Sequence, residues 1–175
     1  IATVLHGPVQ AVLYASAMRL AQSARPSKKL IQTVNADLES ALEVLKFDSI
    51  EAPSLREVLR QIVDVWAGTC EIYLSVSKSV LQVTKKNALL AEAVLEVLRE
   101  AISNAIKHGQ ATEIDVEAAV VGNLIEISIV NNGKSPVNRA GKGFGSKLYD
   151  ELTHTWSLAE MADGRTKFGA TIFIA

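Results

Sequence analysis

The most restrictive feature of the sequence is a long helical pattern that leads directly into two paired strand patterns. Apolar residues recur at helical spacing over residues 87–107. Alternating or apolar runs follow over residues 113–121 and 124–130, and only Gly122 and Asn123 separate them. Because this dipeptide is typical of a tight hairpin turn, the pattern predicts a helix followed by an antiparallel pair of strands.

The flanking segments extend this unit into a layered domain over residues 48–175. Ser54 and Glu57 fit a capping box at the start of a helix that runs to about Trp66. The other predicted elements are a strand at 72–76, a helix at 146–152, and strands at 155–159 and 167–174. Strands and helices in separate runs, with hairpin pairing, predict an α+β fold: a sandwich with helices on one face of a mixed sheet.

The N-terminal part of the chain carries a different pattern, two amphipathic helices joined by a short break. Apolar residues recur at helical spacing over residues 4–20 and 30–45, and Pro26 disfavours helix at Arg25 between them. The pattern predicts an antiparallel helical hairpin over residues 1–47. Since a lone hairpin cannot cover both apolar stripes, we expect a homodimer with a four-helix bundle. Burial against the rest of the same chain is the alternative.

Composition narrows the range of partners. The chain has 175 residues, of which 49% are hydrophobic and 21% charged, so a sizeable core can form. The 18 Lys and Arg against 19 Asp and Glu give no electrostatic basis for binding nucleic acid or an anionic membrane. A single cysteine, Cys70, excludes an internal disulfide and suits the cytoplasm. No apolar run is long enough for a membrane helix, so we expect no membrane contact within this fragment.

The first residue is Ile1 rather than Met, and it lies inside the predicted helical hairpin. We therefore expect further sequence upstream, where a sensor or a membrane-attached segment would lie. The fragment itself would then be the cytoplasmic part of a larger protein.

The end of the long helix places four polar side chains on one face: Glu100, Asn104, Lys107 and His108. An amide oxygen suits Mg²⁺, which prefers hard oxygen ligands and keeps several waters beside phosphate oxygens. A lysine at the same face suits a phosphate group, and a carboxylate can orient a water or a metal ligand. Taken alone, the same pattern also describes a solvated helix face.

Two later segments are rich in glycine: NNG at residues 131–133, which ends a strand, and GKGFG at residues 141–145, which enters a helix. Glycines at alternate positions let backbone N–H groups approach an anion, and the following helix adds its positive N-terminus. A G-x-G-x-G pattern is weak evidence by itself. Its position after the polar helix face and the NNG segment strengthens it.

In this order, E-x-x-x-N-A-x-K-H, N-N-G, G-x-G-x-G and the late Gly169-Ala170-Thr171 resemble the Bergerat ATP-binding fold shared by sensor histidine kinases and gyrase. The resemblance covers about residues 48–175 and implies ATP and Mg²⁺ as cofactors. It implies that Asn104 binds Mg²⁺, with Glu100 one turn before it, and that Lys107 contacts a phosphate while His108 lies near the nucleotide.

The resemblance also implies roles for the later segments. Asn131 and Thr171 would contact the adenine, with Gly133 in the same nucleotide-binding segment as Asn131. The phosphates would be cradled by a lid of three glycines, Gly141, Gly143 and Gly145.

The chain departs from the family pattern at two positions, one in the N-N-G segment and one two residues after it. Asn131 stands where the family usually has an aspartate, and Ser135 stands where it has a second glycine. The amide of Asn131 still offers an oxygen to the adenine amino group, but it loses the charge-assisted part of that hydrogen bond. We expect weaker ATP binding for this reason.

The resemblance extends to the hairpin, where LHGPVQ at residues 5–10 resembles the L-H-D-x-x-x-Q box of histidine kinases. It implies that His6 is the phosphoacceptor, because an unprotonated imidazole nitrogen can attack phosphorus. The family has an acid immediately after the histidine, where this chain has Gly7, and Gln10 lies one position before the family's glutamine. Since those two residues serve phosphatase activity toward the regulator, we expect that activity to be impaired or lost. An unreactive histidine on the shoulder of the bundle is the alternative.

Together these patterns predict the dimerisation and ATPase portion of a sensor histidine kinase. It would autophosphorylate on His6 and pass the phosphate to an aspartate of a response regulator. Two alternatives remain open from the sequence. One is a degenerate ATP-binding dimer that acts as a scaffold or regulator. The other is a serine kinase of the anti-sigma type, against which the upstream hairpin argues.

Overall fold

The computed structural model describes residues 8–23, 25–44, 54–135 and 144–174. Six helices and five strands lie in these ranges. The helices are α1 Pro8–Ala21, α2 Lys28–Val44, α3 Leu55–Trp66, α4 Lys78–Lys86, α5 Ala88–Lys107 and α6 Phe144–Leu152. The strands are β1 Glu71–Val76, β2 Glu113–Val121, β3 Leu124–Asn131, β4 Thr155–Glu160 and β5 Thr166–Phe173.

The strands form one mixed sheet in the order β1-β2-β3-β5-β4. β1 and β2 are parallel, because α4 and α5 make the crossover between them, and the other neighbours are antiparallel. Along β2 the side chains alternate between buried and exposed positions from Glu113 to Ala119. Helices α3, α4, α5 and α6 pack on the buried face, which confirms the predicted α+β sandwich.

Local sequence signals set several helix ends as predicted. The Ser54 hydroxyl accepts a hydrogen bond from the Glu57 backbone N–H at 3.4 Å, and the Glu57 carboxylate accepts one from the Ser54 N–H at 2.8 Å. This reciprocal capping box starts α3. The Asn87 side chain caps α5 in a similar way by accepting from the Leu90 N–H at 3.1 Å.

Helix α4 is the one described element that the sequence analysis missed. Its N-cap is Ser77, and only Val80 and Thr84 are buried along it. Two buried positions one turn apart give too weak a periodicity to distinguish a short helix from a polar connection. Within the described ranges, no helix is long and apolar enough to cross a membrane.

Helices α1 and α2 pack against each other, and α1 also packs against α3. Ala15 of α1 belongs to the main core and is almost fully buried. Leu13, which the predicted apolar stripe included, is instead 53% exposed. The inward face of α1 is therefore covered in part by α3 of the same chain. This corresponds to the alternative stated above, burial of the hairpin against the rest of its own chain rather than against a second copy.

Cys70 lies at the start of β1, buried in the core. Burial raises the pKa of its thiol from 9.0 to about 11, and the nearby Glu113 and Glu71 carboxylates add to this. A raised pKa means that the folded state holds its proton longer than the unfolded state, so the stabilisation is complete below pH 9 and is lost as pH rises through 11.

Replacing Cys70 with alanine should make the free energy of unfolding less sensitive to pH between 9 and 11. The wild-type curve should fall more steeply than the Cys70→Ala curve, by at most about 1.4 kcal/mol per pH unit, the slope for one proton. Urea unfolding at closely spaced pH values measures this difference. Parallel curves for the two proteins would contradict the assignment.

Candidate functional site

The C-terminal turns of α5 bring Glu100 and Asn104 into direct contact. The Asn104 side-chain nitrogen, Nδ2, donates a hydrogen bond to Glu100 Oε1 at 2.9 Å. Because a carboxylate can only accept, this bond fixes which end of the amide faces Glu100. The amide oxygen of Asn104 consequently faces away, and no described residue donates a hydrogen bond to it.

Lys107 lies on the same part of α5 but contacts the N-terminal hairpin. Its Nζ lies 5.4 Å from the centre of the Tyr14 ring, a cation–π arrangement. Burial lowers the pKa of Lys107 below its usual range, while the negative charge of Glu100 acts in the opposite direction. His108 follows as the C-cap of the helix, and its side chain is exposed.

The end of α5 has the hydrogen bond of an αL C-terminal motif, from the Gln110 N–H to the carbonyl four residues earlier. The Ala111 N–H donates to the Ala105 carbonyl at 3.0 Å, and the Gln110 N–H donates to the Ile106 carbonyl at 3.2 Å. The left-handed residue of the motif is Gln110, with φ 57°, rather than the neighbouring Gly109. The glycine at position 109 is therefore not explained by the left-handed conformation, and its reason lies in a close backbone contact.

Gly109 and Gly133 are in close contact, and this contact joins the NNG segment to the end of α5. The Lys134 N–H donates to the Gly109 carbonyl at 2.8 Å. A Cβ atom on Gly133 would lie 2.8 Å from the Gly109 oxygen, and one on Gly109 would lie 2.6 Å from the Ala105 oxygen. Both positions therefore require glycine because backbone atoms occupy the space of a side chain.

Asn131, at the end of β3, is buried, and both ends of its amide are hydrogen-bonded within the protein. Its Oδ1 accepts from the Gly133 N–H at 2.9 Å, and its Nδ2 donates to the Thr166 carbonyl at 3.3 Å. The Thr166 hydroxyl in turn donates to the Gly133 carbonyl at 3.0 Å. Asn131, Gly133 and Thr166 thus form one connected unit.

The structure does not bring Thr171 to this unit. Asn131 is directly opposite Thr166 in the register of β3 and β5, whereas Thr171 is opposite Glu126. Thr166 is buried on the helix-covered face, while Thr171 alternates to the other face, where its hydroxyl lies 2.8 Å from that of Thr155. Thr166 is therefore the threonine that accompanies Asn131, whereas Thr171, for which the sequence motif predicts an adenine contact, lies five residues further along β5.

The side chain of Asn132 is hydrogen-bonded to the segment that leads into β2. Its Oδ1 accepts from the backbone N–H groups of Thr112 and Glu113 at 2.9 and 3.1 Å, and its Nδ2 donates to the Thr112 hydroxyl at 2.9 Å. These bonds fasten the NNG segment to the start of β2. The segment is consequently held from both sides, by β2 and by the end of α5.

Helix α6 packs directly over Glu100 and Asn104. A Cβ atom on Gly145 would lie 2.5 Å from Glu100 Oε1 and 3.0 Å from Asn104 Nδ2, so the absence of a side chain permits this approach. One turn later the Tyr149 hydroxyl lies 3.4 Å from Asn104 Nδ2. Gly141 and Gly143, the other two glycines of the predicted lid, lie outside the described residues, as do His6 and Gly7.

The described residues contain no cluster of three His, Cys, Asp or Glu side chains that could hold a metal ion by themselves. The unpartnered Asn104 oxygen beside a carboxylate fits a different kind of ion. Mg²⁺ usually takes one or two protein oxygens, keeps several waters and completes its shell with substrate phosphates. The donor set is therefore compatible with a Mg²⁺–nucleotide and not with a closed metal centre.

Comparison with models of protein families and with curated sequences finds no match. Solved structures do match. Histidine kinase AdeS of Acinetobacter baumannii aligns at 12% identity over 97% of this chain and 96% of that chain, with a TM-score of 0.51. The histidine kinase domain of the blue-light-activated histidine kinase EL346 of Erythrobacter litoralis aligns at 12% identity over 95% and 94%, with a TM-score of 0.52. At such identities the likeness shows the fold alone, and it is the fold of histidine kinases.

Proposed function

We propose that this chain is the phosphoacceptor and ATP-binding portion of a sensor histidine kinase. It binds Mg–ATP, transfers the γ-phosphoryl group to His6 and passes it to an aspartate of a response regulator. The observation that carries the proposal is the joint arrangement of Asn104 and Glu100 under α6, with the Asn131–Gly133–Thr166 unit fastened to the same end of α5. The shared fold with histidine kinases supports it.

In this proposal Asn104 offers its free amide oxygen to Mg²⁺, which neutralises charge on the phosphates when bound. Glu100 accepts a 2.9 Å hydrogen bond from the nitrogen of that amide, so the oxygen is the end left for the ion. Lys107 supplies positive charge to a phosphate after it leaves the Tyr14 ring, and His108 is exposed beside it. Gly145 lies in the first turn of α6 and is the last glycine of the phosphate lid, with Gly141 and Gly143 before it.

The chemical step is an in-line phosphoryl transfer. An unprotonated imidazole nitrogen of His6 forms the new bond to the γ-phosphorus as the bond to the bridging oxygen breaks and ADP leaves. Little covalent assistance is needed from the protein, because positioning and charge neutralisation account for most of the catalysis of such transfers. The missing acid at Gly7 leaves orientation of the imidazole to another acceptor.

The hairpin supports a homodimer in this proposal. Leu13, Tyr14 and Ile31 are exposed by 53%, 37% and 46% in the single chain. These apolar side chains on α1 and α2 are available to a second copy, although α3 already covers another part of α1. A four-helix bundle would remove them from water.

The test is autophosphorylation with radiolabelled Mg–ATP. We expect a label that is stable in alkali and labile in acid, as phosphohistidine is, and that disappears in His6→Gln. His154→Gln is the matched control, because it replaces an exposed histidine that lies in no proposed site, so the label should persist in this variant. A label that persists in His6→Gln, or one found only on an added partner protein, would contradict the proposal, and the latter result would indicate a serine kinase.

A second candidate function is a nucleotide-binding scaffold without transfer activity. The state of Asn131 favours it, because both ends of the amide are already bonded to Gly133 and Thr166. A neutral amide committed in this way binds an adenine amino group more weakly than a carboxylate would. Nucleotide binding without any label in the same assay would indicate the scaffold.

A further inference from the structure

Tyr149 occupies a position between the core and the proposed metal ligand. Its ring is buried, with centroids 5.3 Å from the Trp156 ring and 4.7 Å from the Phe168 ring. These two aromatic side chains lie on neighbouring strands, β4 and β5. Because the ring is held from both strands, the hydroxyl at its tip has a fixed position.

That position is 3.4 Å from Asn104 Nδ2, which donates to the Tyr149 oxygen. A primary amide nitrogen carries two hydrogens. One is directed to Glu100 Oε1 at 2.9 Å, and Tyr149 receives the other. Both donor hydrogens of the Asn104 amide are thereby used, and their acceptors lie on different helices, Glu100 on α5 and Tyr149 on α6.

The consequence concerns the amide oxygen. A single hydrogen bond leaves an amide free to turn about its last side-chain torsion, which is broad for Asn. Two bonds to the same nitrogen fix the plane of the amide and hence the direction of its oxygen. The oxygen has no partner among the described residues, so it is the atom presented to a ligand.

We infer that Tyr149 is a positioning residue: its hydroxyl fixes the Asn104 amide so that the amide oxygen is presented to the Mg²⁺ of a bound nucleotide. The part that concerns Mg²⁺ rests on the proposed function, whereas the part that concerns the Asn104 amide does not. Burial raises the pKa of Tyr149, which keeps the phenol protonated and neutral beside the Glu100 carboxylate at neutral pH. An ionised phenol at that place would repel Glu100.

The competing explanation is that Tyr149 only fills space among Trp156 and Phe168. Tyr149→Phe separates the two explanations, since it retains the ring and removes the hydroxyl alone. The matched control is Tyr73→Phe. Tyr73 is 52% exposed, and its hydroxyl donates to Glu71 at 2.7 Å, far from the site on the outer face of β1.

The first readout is the side-chain amide signal of Asn104 in ¹⁵N-labelled protein, identified by its loss in Asn104→Asp. In Tyr149→Phe we expect the signal of the proton bonded to Tyr149 to move and to exchange faster with water, and in Tyr73→Phe we expect no change. An Asn104 signal that is identical in wild type and Tyr149→Phe would overturn the inference, whether or not the protein binds nucleotide.

The second readout is ADP binding by calorimetry, with Mg²⁺ titrated and with Mg²⁺ removed by chelator. Tyr149→Phe should raise the half-saturating Mg²⁺ concentration by about three- to tenfold, as expected for one hydrogen bond, and leave ADP affinity without Mg²⁺ unchanged. Equal weakening with and without Mg²⁺ would assign Tyr149 a packing role and overturn the inference. Failure of the wild type to bind ADP would refute the proposed function, and the amide signal would still decide the role of Tyr149.

Discussion

Replacing Arg19 with methionine is expected to lower the free energy of unfolding by about 2–4 kcal/mol, the cost of losing several charge-assisted hydrogen bonds at a largely buried site. Arg19 lies in the last turn of α1, and its side chain is only 11% exposed. It donates to the backbone oxygens of Ala67, Val65 and Asp64 at 3.1, 2.6 and 3.4 Å. These carbonyls lie at the end of α3.

The effect is large because one side chain bonds the carbonyls at the end of α3 and also joins α1 to α2 through Asp37. Carbonyl groups at a helix C-terminus lack partners within the helix, and a cation there is also favoured by the helix dipole. Arg19 forms an ion pair with Asp37 of α2 at 2.5 Å as well. Methionine retains most of the apolar stem but leaves the carbonyls and Asp37 without their partner.

Urea unfolding measures the loss. In a Trp156→Phe background the fluorescence comes from Trp66 alone and reports the hairpin, since the Tyr14 and Trp66 rings are 6.2 Å apart. The control is Arg165→Met, which removes an exposed ion pair with Asp163 and should cost less than about 1 kcal/mol. Asp37→Asn should lie between the two, because it spares the carbonyl contacts. Equal stability of Arg19→Met and Arg165→Met would show that the bonds of Arg19 to the end of α3 and to Asp37 do not stabilise the fold.

The sequence allowed prediction of the elements whose signals are local. The Ser54 capping box, the turn at Gly122 and the long helical pattern of α5 all depend on residues within a few positions of one another, and the structure confirms each. The contact of Glu100 with Asn104 is of the same kind, since residues four apart on a helix are neighbours.

The features that escaped prediction depend on which distant segments meet. Thr166 rather than Thr171 accompanies Asn131 because the register of β3 and β5 decides the pairing, and a motif match does not contain the register. Leu13 is exposed because α1 turns Ala15 inward against the core, which the apolar stripe alone does not specify. Arg19 shows no signal at all in the sequence, since the α3 carbonyl that it approaches most closely lies 46 residues away along the chain.

Gly133→Ala tests the other long-range contact, the one that holds the NNG segment against the end of α5. The added Cβ would lie 2.8 Å from the Gly109 oxygen, 2.9 Å from Asn131 Oδ1 and 3.0 Å from the Ala111 Cβ. A backbone oxygen in a hydrogen-bonded turn cannot move away as a flexible side chain can. We therefore expect a loss of about 3 kcal/mol in the free energy of unfolding, at the upper end for overpacking a core.

The same substitution should also weaken nucleotide binding, because it displaces the Asn131–Gly133–Thr166 unit relative to Asn104. Gly164→Ala is the control: Gly164 has φ 82° and open space around it, so alanine there adds conformational strain of about 1 kcal/mol without a collision. Urea unfolding and ADP calorimetry on both variants distinguish the effect of the collision at Gly133 from the effect of backbone strain alone. If Gly133→Ala costs no more than Gly164→Ala, the close approach of Gly109 and Gly133 does not constrain the site, and the direct link between the NNG segment and the polar face of α5 is refuted.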